Sequence, residues 1–205
     1  MCTICVVIGW VLIIGIIISF LALGRWTNIL RDNVDIGKFL DAAKSLPKYA
    51  ETPPNKIPRP FSLSRVQLGV WTVVISSSYI FLILCNCCDM TKVIINSTAL
   101  LLMGISVGTT LVARTIDKNQ ASLKRHQNEP SEGFLVDILS DENGISIHRF
   151  QNVVWTVIAI CIYLCYLNVS KCKLPELDST LIALTGISAS AYVGVKINEN
   201  KTETT

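Results

Sequence analysis

Two short motifs of arginine, glutamine and tryptophan hold the side chains of this sequence best suited to bind something. Their six residues, matched at an offset of 84 positions, are Arg65, Gln67 and Trp71, and Arg149, Gln151 and Trp155. Arginine presents a planar fork of N–H donors that fits a carboxylate or a phosphate. Each motif therefore predicts a site for an acidic partner. An alternative stays open: each arginine is an anchor on lipid phosphate, with the tryptophan about one turn deeper.

Cysteine chemistry is the next candidate, because the chain contains 8 cysteines. Cys87 and Cys88 follow one apolar run and Cys172 follows another, so a disulfide between Cys172 and one of them is one interpretation if both ends face an oxidising compartment. The other interpretation is that the cysteines in apolar runs are small side chains that fill space between packed helices. His126 and His148 stand apart from each other, and no metal site is predicted.

Enzyme motifs are missing from the sequence. It contains no serine in a nucleophile elbow, no phosphate-binding loop and no pair of carboxylates inside an apolar run. We therefore predict no enzyme, no catalytic residue and no bound cofactor. The acidic residues between the apolar runs are interpreted as a solvated face; among them are Asp117, Glu129, Glu132, Asp137, Asp141 and Glu142.

The composition places the chain in a membrane. Hydrophobic residues make up 51% of the 205 positions and mean hydropathy is +0.50, which is too apolar for an ordinary soluble domain. Apolar runs near the 20 residues that a spanning helix needs cover residues 4–23, 66–87, 95–113, 151–169 and 179–195. The sequence therefore predicts an all-α membrane protein with about five spans. Because no carboxylate lies inside them, active transport is disfavoured, whereas a passive pore is not.

Two stretches of the chain match each other. Residues 62–114 begin SLSRVQLGVWTV and close STALLLMGISVGTTLVAR, and residues 146–196 begin SIHRFQNVVWTV and close STLIALTGISASAYVGVK. The offset changes from 84 to 82 positions between the two halves, so one short deletion separates the copies. We interpret them as a tandem duplication of a helical hairpin. Both hairpins would start and end on the same side of the membrane, as parallel repeats.

Small residues recur on the second helix of each hairpin. At spacings of four they are Gly104 and Gly108 in the first copy, and Gly186, Ser190 and Gly194 in the second. Such residues let two helix backbones approach closely in lipid. They predict a helix-packing contact, within one chain or between chains.

Basic residues predict the orientation. Of the 18 Lys and Arg, 15 lie in residues 25–65, in residues 114–149 and after residue 195. Because cytoplasmic segments are rich in Lys and Arg, the N-terminus is predicted outside and the C-terminus in the cytoplasm. No basic residue precedes the first run and no clean cleavage site follows it, so residues 1–24 are predicted to be an uncleaved anchor helix.

The connecting segments carry local signals. In residues 25–61, Asp35 is a candidate cap of a short amphipathic helix, which either packs on its own protein or lies on the inner leaflet. The proline-rich TPPNKIPRP that follows predicts a stiff, extended linker. In the connector 115–145, FLVDILSD predicts one more helix, and Asn143-Gly144 predicts a turn. Residues 197–205 form a cytoplasmic tail.

The duplicated pattern resembles a family of bacterial integral membrane proteins. It joins an Arg-x-Gln entry and a tryptophan, as in RPFSLSRVQLGVWTV, to a returning helix with Gly-Ile-Ser-x-Gly-Thr, as in LLMGISVGTTLVARTID. The resemblance covers about residues 59–196 and implies this architecture in a bacterial inner membrane, but no activity. The second copy departs from it at Ser190 and Ala191, which stand where the first has Gly108 and Thr109.

Two functions fit this sequence. The first is a non-catalytic membrane scaffold or anchor that self-associates in the lipid bilayer and engages another protein through its cytoplasmic loops. The second is a small homo-oligomeric channel, perturbing the membrane, with Ser76–Ser78, Thr109 and Thr110 near its path. A nucleic-acid partner is not indicated, because the net charge is only +3 and the basic residues do not form one patch.

Overall fold

The computed structural model describes residues 2–86, 93–120, 128–141, 143–169 and 173–198, which are 74% helical. In chain order the elements are α1 Cys2–Trp26, α2 Ile36–Ser45, a 3-10 turn Pro54–Lys56, α3 Leu63–Cys85, α4 Ser97–Asn119, α5 Phe134–Leu139, β1 Ser140–Asp141, β2 Gly144–Ile145, α6 Ile147–Val169 and α7 Ser179–Asn198. Five of these, α1, α3, α4, α6 and α7, are long and apolar enough to cross a membrane. The predicted all-α fold with five candidate spans is confirmed.

Four of the five long helices build the bundle, and α1 packs on its outside against α3. Helices α3 and α4 form one hairpin and α6 and α7 another, with α4 against α7 and α3 against α6. The core between them contains Trp71, Leu82, Leu102, Ala159 and Tyr163. Lipid is as apolar as these side chains, so close packing rather than the hydrophobic effect holds the helices together.

Two glycines outside the predicted small-residue set bring α1 and α3 together. A Cβ atom built on Gly69 would lie 2.5 Å from Cε2 of Phe20, and one built on Gly9 would overlap the side chain of Leu84. The start of α1 therefore meets the end of α3, and the two helices run antiparallel. At both positions a larger residue would require the facing side chain to shift.

A folded layer covers one end of the bundle. We call residues 27–61, 128–141 and 143–146 the polar layer. Its parts are joined by backbone hydrogen bonds: the Asp32 N–H donates to the Pro60 carbonyl at 2.8 Å, and the Ser131 N–H to the Pro58 carbonyl at 2.9 Å. A side chain adds a third link, because the Asp35 N–H donates to Oδ1 of Asn128 at 3.0 Å. The two connecting segments thus share one side of the bundle.

Helix α2 packs within this layer. Oδ1 of Asp35 accepts the Lys38 N–H at 3.1 Å, which confirms the predicted cap. Phe39 and Ala43 are buried beside Tyr49 and Ile57, so this part of the apolar face rests on the protein itself.

The proline-rich segment is not the extended linker predicted from the sequence. It contains the 3-10 turn Pro54–Lys56, and Ile57 after the turn is only 5% exposed. The physical reason is that Ile57 completes the apolar cluster under α2.

The second segment of the polar layer follows its local signals. Helix α5 and a two-residue antiparallel hairpin, β1 with β2, lie where the sequence predicts a helix and a turn. Gly144 has φ +102°, a conformation that glycine adopts at little cost. The Asn143 N–H donates to Oδ1 of Asp141 at 2.9 Å and closes the turn.

Candidate functional site

A cluster of buried charges lies where the polar layer meets the bundle. Nζ of Lys196 is 3.0 Å from Oδ1 of Asp117 and 3.8 Å from Oδ2 of Asp32. The ring centroid of Tyr192 lies 5.9 Å from that nitrogen and 5.3 Å from the guanidinium carbon of Arg149. We call these five residues the charge cluster. All are at most 5% exposed.

Four separate segments position the charge cluster. Asp32 follows α1, Asp117 lies in the last turn of α4, and Arg149 lies in the first turn of α6. Tyr192 and Lys196 are one turn apart on α7, which places them on the same face. Next to the cluster, Nε2 of Gln120 donates to the Ile197 carbonyl at 2.9 Å and joins the ends of α4 and α7.

The charges of the cluster balance. The cluster contains two carboxylates, of Asp32 and Asp117, which pair with Lys196, and a second cation, of Arg149, so the formal charges of these residues sum to zero. Burying an isolated charge costs several kcal/mol, and pairing offsets that cost. The carboxylates already have protein cations beside them, which disfavours a metal ion here. The arrangement suits a structural contact that holds the four segments together.

A second polar contact fastens the layer beside the cluster. The guanidinium of Arg31 donates to the Arg59 carbonyl and lies over the ring of Phe61, 4.2 Å from its centroid. Asp137 accepts the Phe61 N–H at 3.0 Å. Burial lowers the pKa of Arg31, while the nearby Asp137 carboxylate opposes that shift. A guanidinium keeps its charge in proteins near neutral pH.

The structure corrects the interpretation of Asp117 as part of a solvated face, because this residue is 2% exposed. The apolar run ends at Ala113, but α4 continues to Asn119 and directs Asp117 toward α7. Lys196, the predicted last residue of the second repeat, is buried as well. Asp32 was not singled out from the sequence. Glu142 lies outside the described residues.

The matched motif residues do not form one site. Arg65 donates from Nη2 to Oδ1 of Asn33 at 2.9 Å, whereas Arg149 belongs to the charge cluster. Trp71 is 4% exposed and packs edge-on to Tyr163 at 6.1 Å between ring centroids, whereas Trp155 is half-buried.

Gln67 bonds inside the bundle, while Gln151 is exposed. Nε2 of Gln67 donates to Oγ1 of Thr156 at 2.8 Å, and Nδ2 of Asn152 donates to Oε1 of Gln67 at 3.3 Å. A cavity of about 20 Å³ lies beside these groups and is also lined by Thr185. Its volume is sufficient for one water molecule. These bonds tie α3 to α6.

The predicted helix-packing residues line a groove on the outside of α4 and α7. Gly104, Gly108 and Gly194 have nothing within 4 Å of an added Cβ atom, and an added Cβ on Gly186 would lie 3.7 Å from Cδ1 of Ile105. Ser190 is exposed on the same groove, whose volume is about 830 Å³. Within one chain these residues therefore do not bring two backbones together. A contact between chains stays a prediction.

Comparisons of the chain with protein-family models, curated proteins and solved structures find no match. The disulfide considered between Cys172 and Cys87 or Cys88 lies outside the described residues.

Removing Lys196 tests the charge cluster. Lys196→Met removes the cation that pairs with two buried carboxylates, and we expect the free energy of unfolding in mixed micelles to fall by about 3–5 kcal/mol. The double variant Asp117→Leu, Lys196→Met removes one charge of each sign and should regain most of this loss. Lys118→Met, on the exposed side of the same turn of α4, is the control and should change little. Equal losses in the single and double variants would contradict the pairing.

Replacing the two matched glutamines tests the link between α3 and α6. Gln67→Leu removes the bonds to Thr156 and Asn152, and should lower the free energy of unfolding by about 0.6 kcal/mol and at most about 1.7. Gln151→Leu changes an exposed residue and should have no such effect. A double-mutant cycle with Thr156→Val measures the coupling. An equal loss from both glutamines, or no coupling, would refute the assignment.

Proposed function

We propose that the protein is a non-catalytic scaffold of a bacterial inner membrane, whose polar layer engages a partner protein in the cytoplasm. The charge cluster carries this proposal. It fixes a folded layer to the ends of the helices, so the layer is a preformed surface on a membrane anchor. Preformed surfaces bind with a smaller loss of conformational entropy than loops that order on binding.

The placement of basic residues supports the orientation. The segments that form the polar layer and the adjoining helix ends hold most of the 18 Lys and Arg. Cytoplasmic segments carry that excess. The N-terminus is accordingly outside and the C-terminus cytoplasmic in this proposal. The bacterial inner membrane is taken from the family resemblance.

An apolar patch on the polar layer supports a protein partner. Leu135 is 66% exposed, Ile145 74% and Ile147 68%, and Phe134 and Val136 beside them are also exposed. Adjacent exposed apolar side chains mark interaction sites more often than scattered ones do. The patch lies on α5, β2 and the start of α6, which the layer holds in place. We propose this patch as the partner surface.

A pore between several copies is the second candidate. The groove of exposed small residues on α4 and α7 favours it, because such a stripe lets a neighbouring helix approach closely. A pore through one bundle is disfavoured by the packed Trp71–Tyr163 pair and by Leu102 in the core. The hydroxyls of Ser76 and Thr109 donate to carbonyls of their own helices, so they need no water-filled path.

Site-specific photo-crosslinking in cells tests the scaffold. A photoreactive residue at position 135 should give an adduct with one discrete protein, and the adduct should disappear when Ile145→Asp is added. The control is position 100 on α4, where Leu100 is 63% exposed on a membrane-spanning helix. Identical products from both positions would rule out the patch as the partner surface.

Ion flux through liposomes separates the two candidates. Liposomes carrying correctly inserted protein should stay as tight as empty ones if the protein is a scaffold. The matched sample carries Gly104→Leu and Gly186→Leu, which fill the groove of small residues. Flux through the wild type that these substitutions abolish would overturn the scaffold and establish the oligomeric pore.

A further inference from the structure

A second groove, open to the lipid, runs between α1 and α4 with α3 as its floor. Its volume is about 890 Å³, within the range of about 300–1,000 Å³ that ligand pockets have. Apolar side chains form most of its walls, including Val11, Leu12, Ile16 and Leu68. Gly15 leaves space in the wall formed by α1, because it has no side chain and nothing lies within 4 Å of its Cβ position. The shape and polarity suit a hydrocarbon chain.

Two arginines lie at the end of this groove that adjoins the polar layer. Arg65 belongs to the first turn of α3, and Arg114 to the part of α4 that leaves the apolar run. Arg65 uses one N–H for Asn33, and a guanidinium has five. Arg114 is exposed and, among the described residues, has no side-chain hydrogen bond or ion pair. Among the residues that the structure describes, no Asp or Glu lines the groove.

The residues that match these two arginines in the second hairpin lie in a different environment, which includes carboxylates. Arg65 matches Arg149 at the offset of 84, and Arg114 matches Lys196 at the offset of 82. Arg149 and Lys196 are buried in the charge cluster, where Asp117 and Asp32 pair with Lys196. The first hairpin has the same pair of positive charges without those carboxylates. An anion from outside the chain would complete it.

We propose that this groove binds one anionic phospholipid. Its phosphate lies between Arg65 and Arg114, and one acyl chain follows α3 beside Gly15. Arginine forks bind phosphate oxygens through paired, charge-assisted bonds. Free phosphate would leave the apolar walls unused, and a zwitterionic lipid brings a cation beside the two arginines. The site is independent of the scaffold proposal.

Native mass spectrometry of the full chain from detergent micelles tests the lipid site. With phosphatidylglycerol added, the wild type should keep one lipid per chain, and with phosphatidylcholine added it should keep far less. The double variant Arg65→Gln, Arg114→Gln should reduce phosphatidylglycerol retention by about tenfold, since one charge-assisted hydrogen bond contributes about 1.5–3 kcal/mol. Equal retention of the two lipids by the wild type would overturn the proposal.

Two further variants separate the groove from general surface charge. Arg25→Gln removes one positive charge from the last turn of α1, outside the groove, and should leave retention unchanged. Gly15→Leu fills the groove without touching either arginine and should also lower retention severalfold. Unchanged binding in Gly15→Leu, or a loss in Arg25→Gln equal to that of the arginine pair, would refute an acyl-chain site. Thermal unfolding of each variant confirms that the fold is intact.

Discussion

A buried lysine requires a carboxylate, and much of this structure follows from that requirement. Lys196 is 1% exposed, so its charge is tolerable only beside Asp117 and Asp32. Asp117 brings the end of α4 to the end of α7, and Asp32 brings the segment after α1 to both. That segment bonds to residues 58–60 and through them to Ser131. The two ion pairs of one lysine thus connect the ends of α4 and α7 to the polar layer.

Packing inside the membrane obeys a different constraint. Because lipid offers no hydrophobic driving force, helices associate where their surfaces fit closely. The fit is tight at Gly9 and Gly69 and around Trp71 and Tyr163, and loose where Gly104, Gly108 and Gly194 face outward. The loose faces remain as two grooves, one on each side of α4. A helix of a second chain suits the groove of small residues, and a lipid suits the groove that ends in arginines.

Features with a local cause were predictable from the sequence. The five spans follow from apolar run length, the cap from Asp35 before an amphipathic stretch, and the turn from Asn143-Gly144. The charge cluster was not predictable in this way, because Asp117 beyond an apolar run has the same local context as a solvated acid. One signal was present: Thr109, Ala113, Ile116, Asp117 and Gln120 follow a helical spacing of three and four, and all are buried. Such a stripe crosses the end of the apolar run without interruption.

Matching residues also acquire different environments, which sequence comparison alone cannot show. Gln67 bonds to Asn152 and Thr156 rather than to its counterpart Gln151, so the two hairpins do not meet through equivalent positions. Helix α1 packs on α3, where Gly69 allows its approach, and the matching residue of α6 is Val153. Asp32 of the polar layer and Asp117 of α4 pair with Lys196, which matches Arg114 of the first copy. A near-repeated sequence thereby places one pair of basic residues, Arg149 and Lys196, inside the charge cluster and the matching pair, Arg65 and Arg114, along a groove.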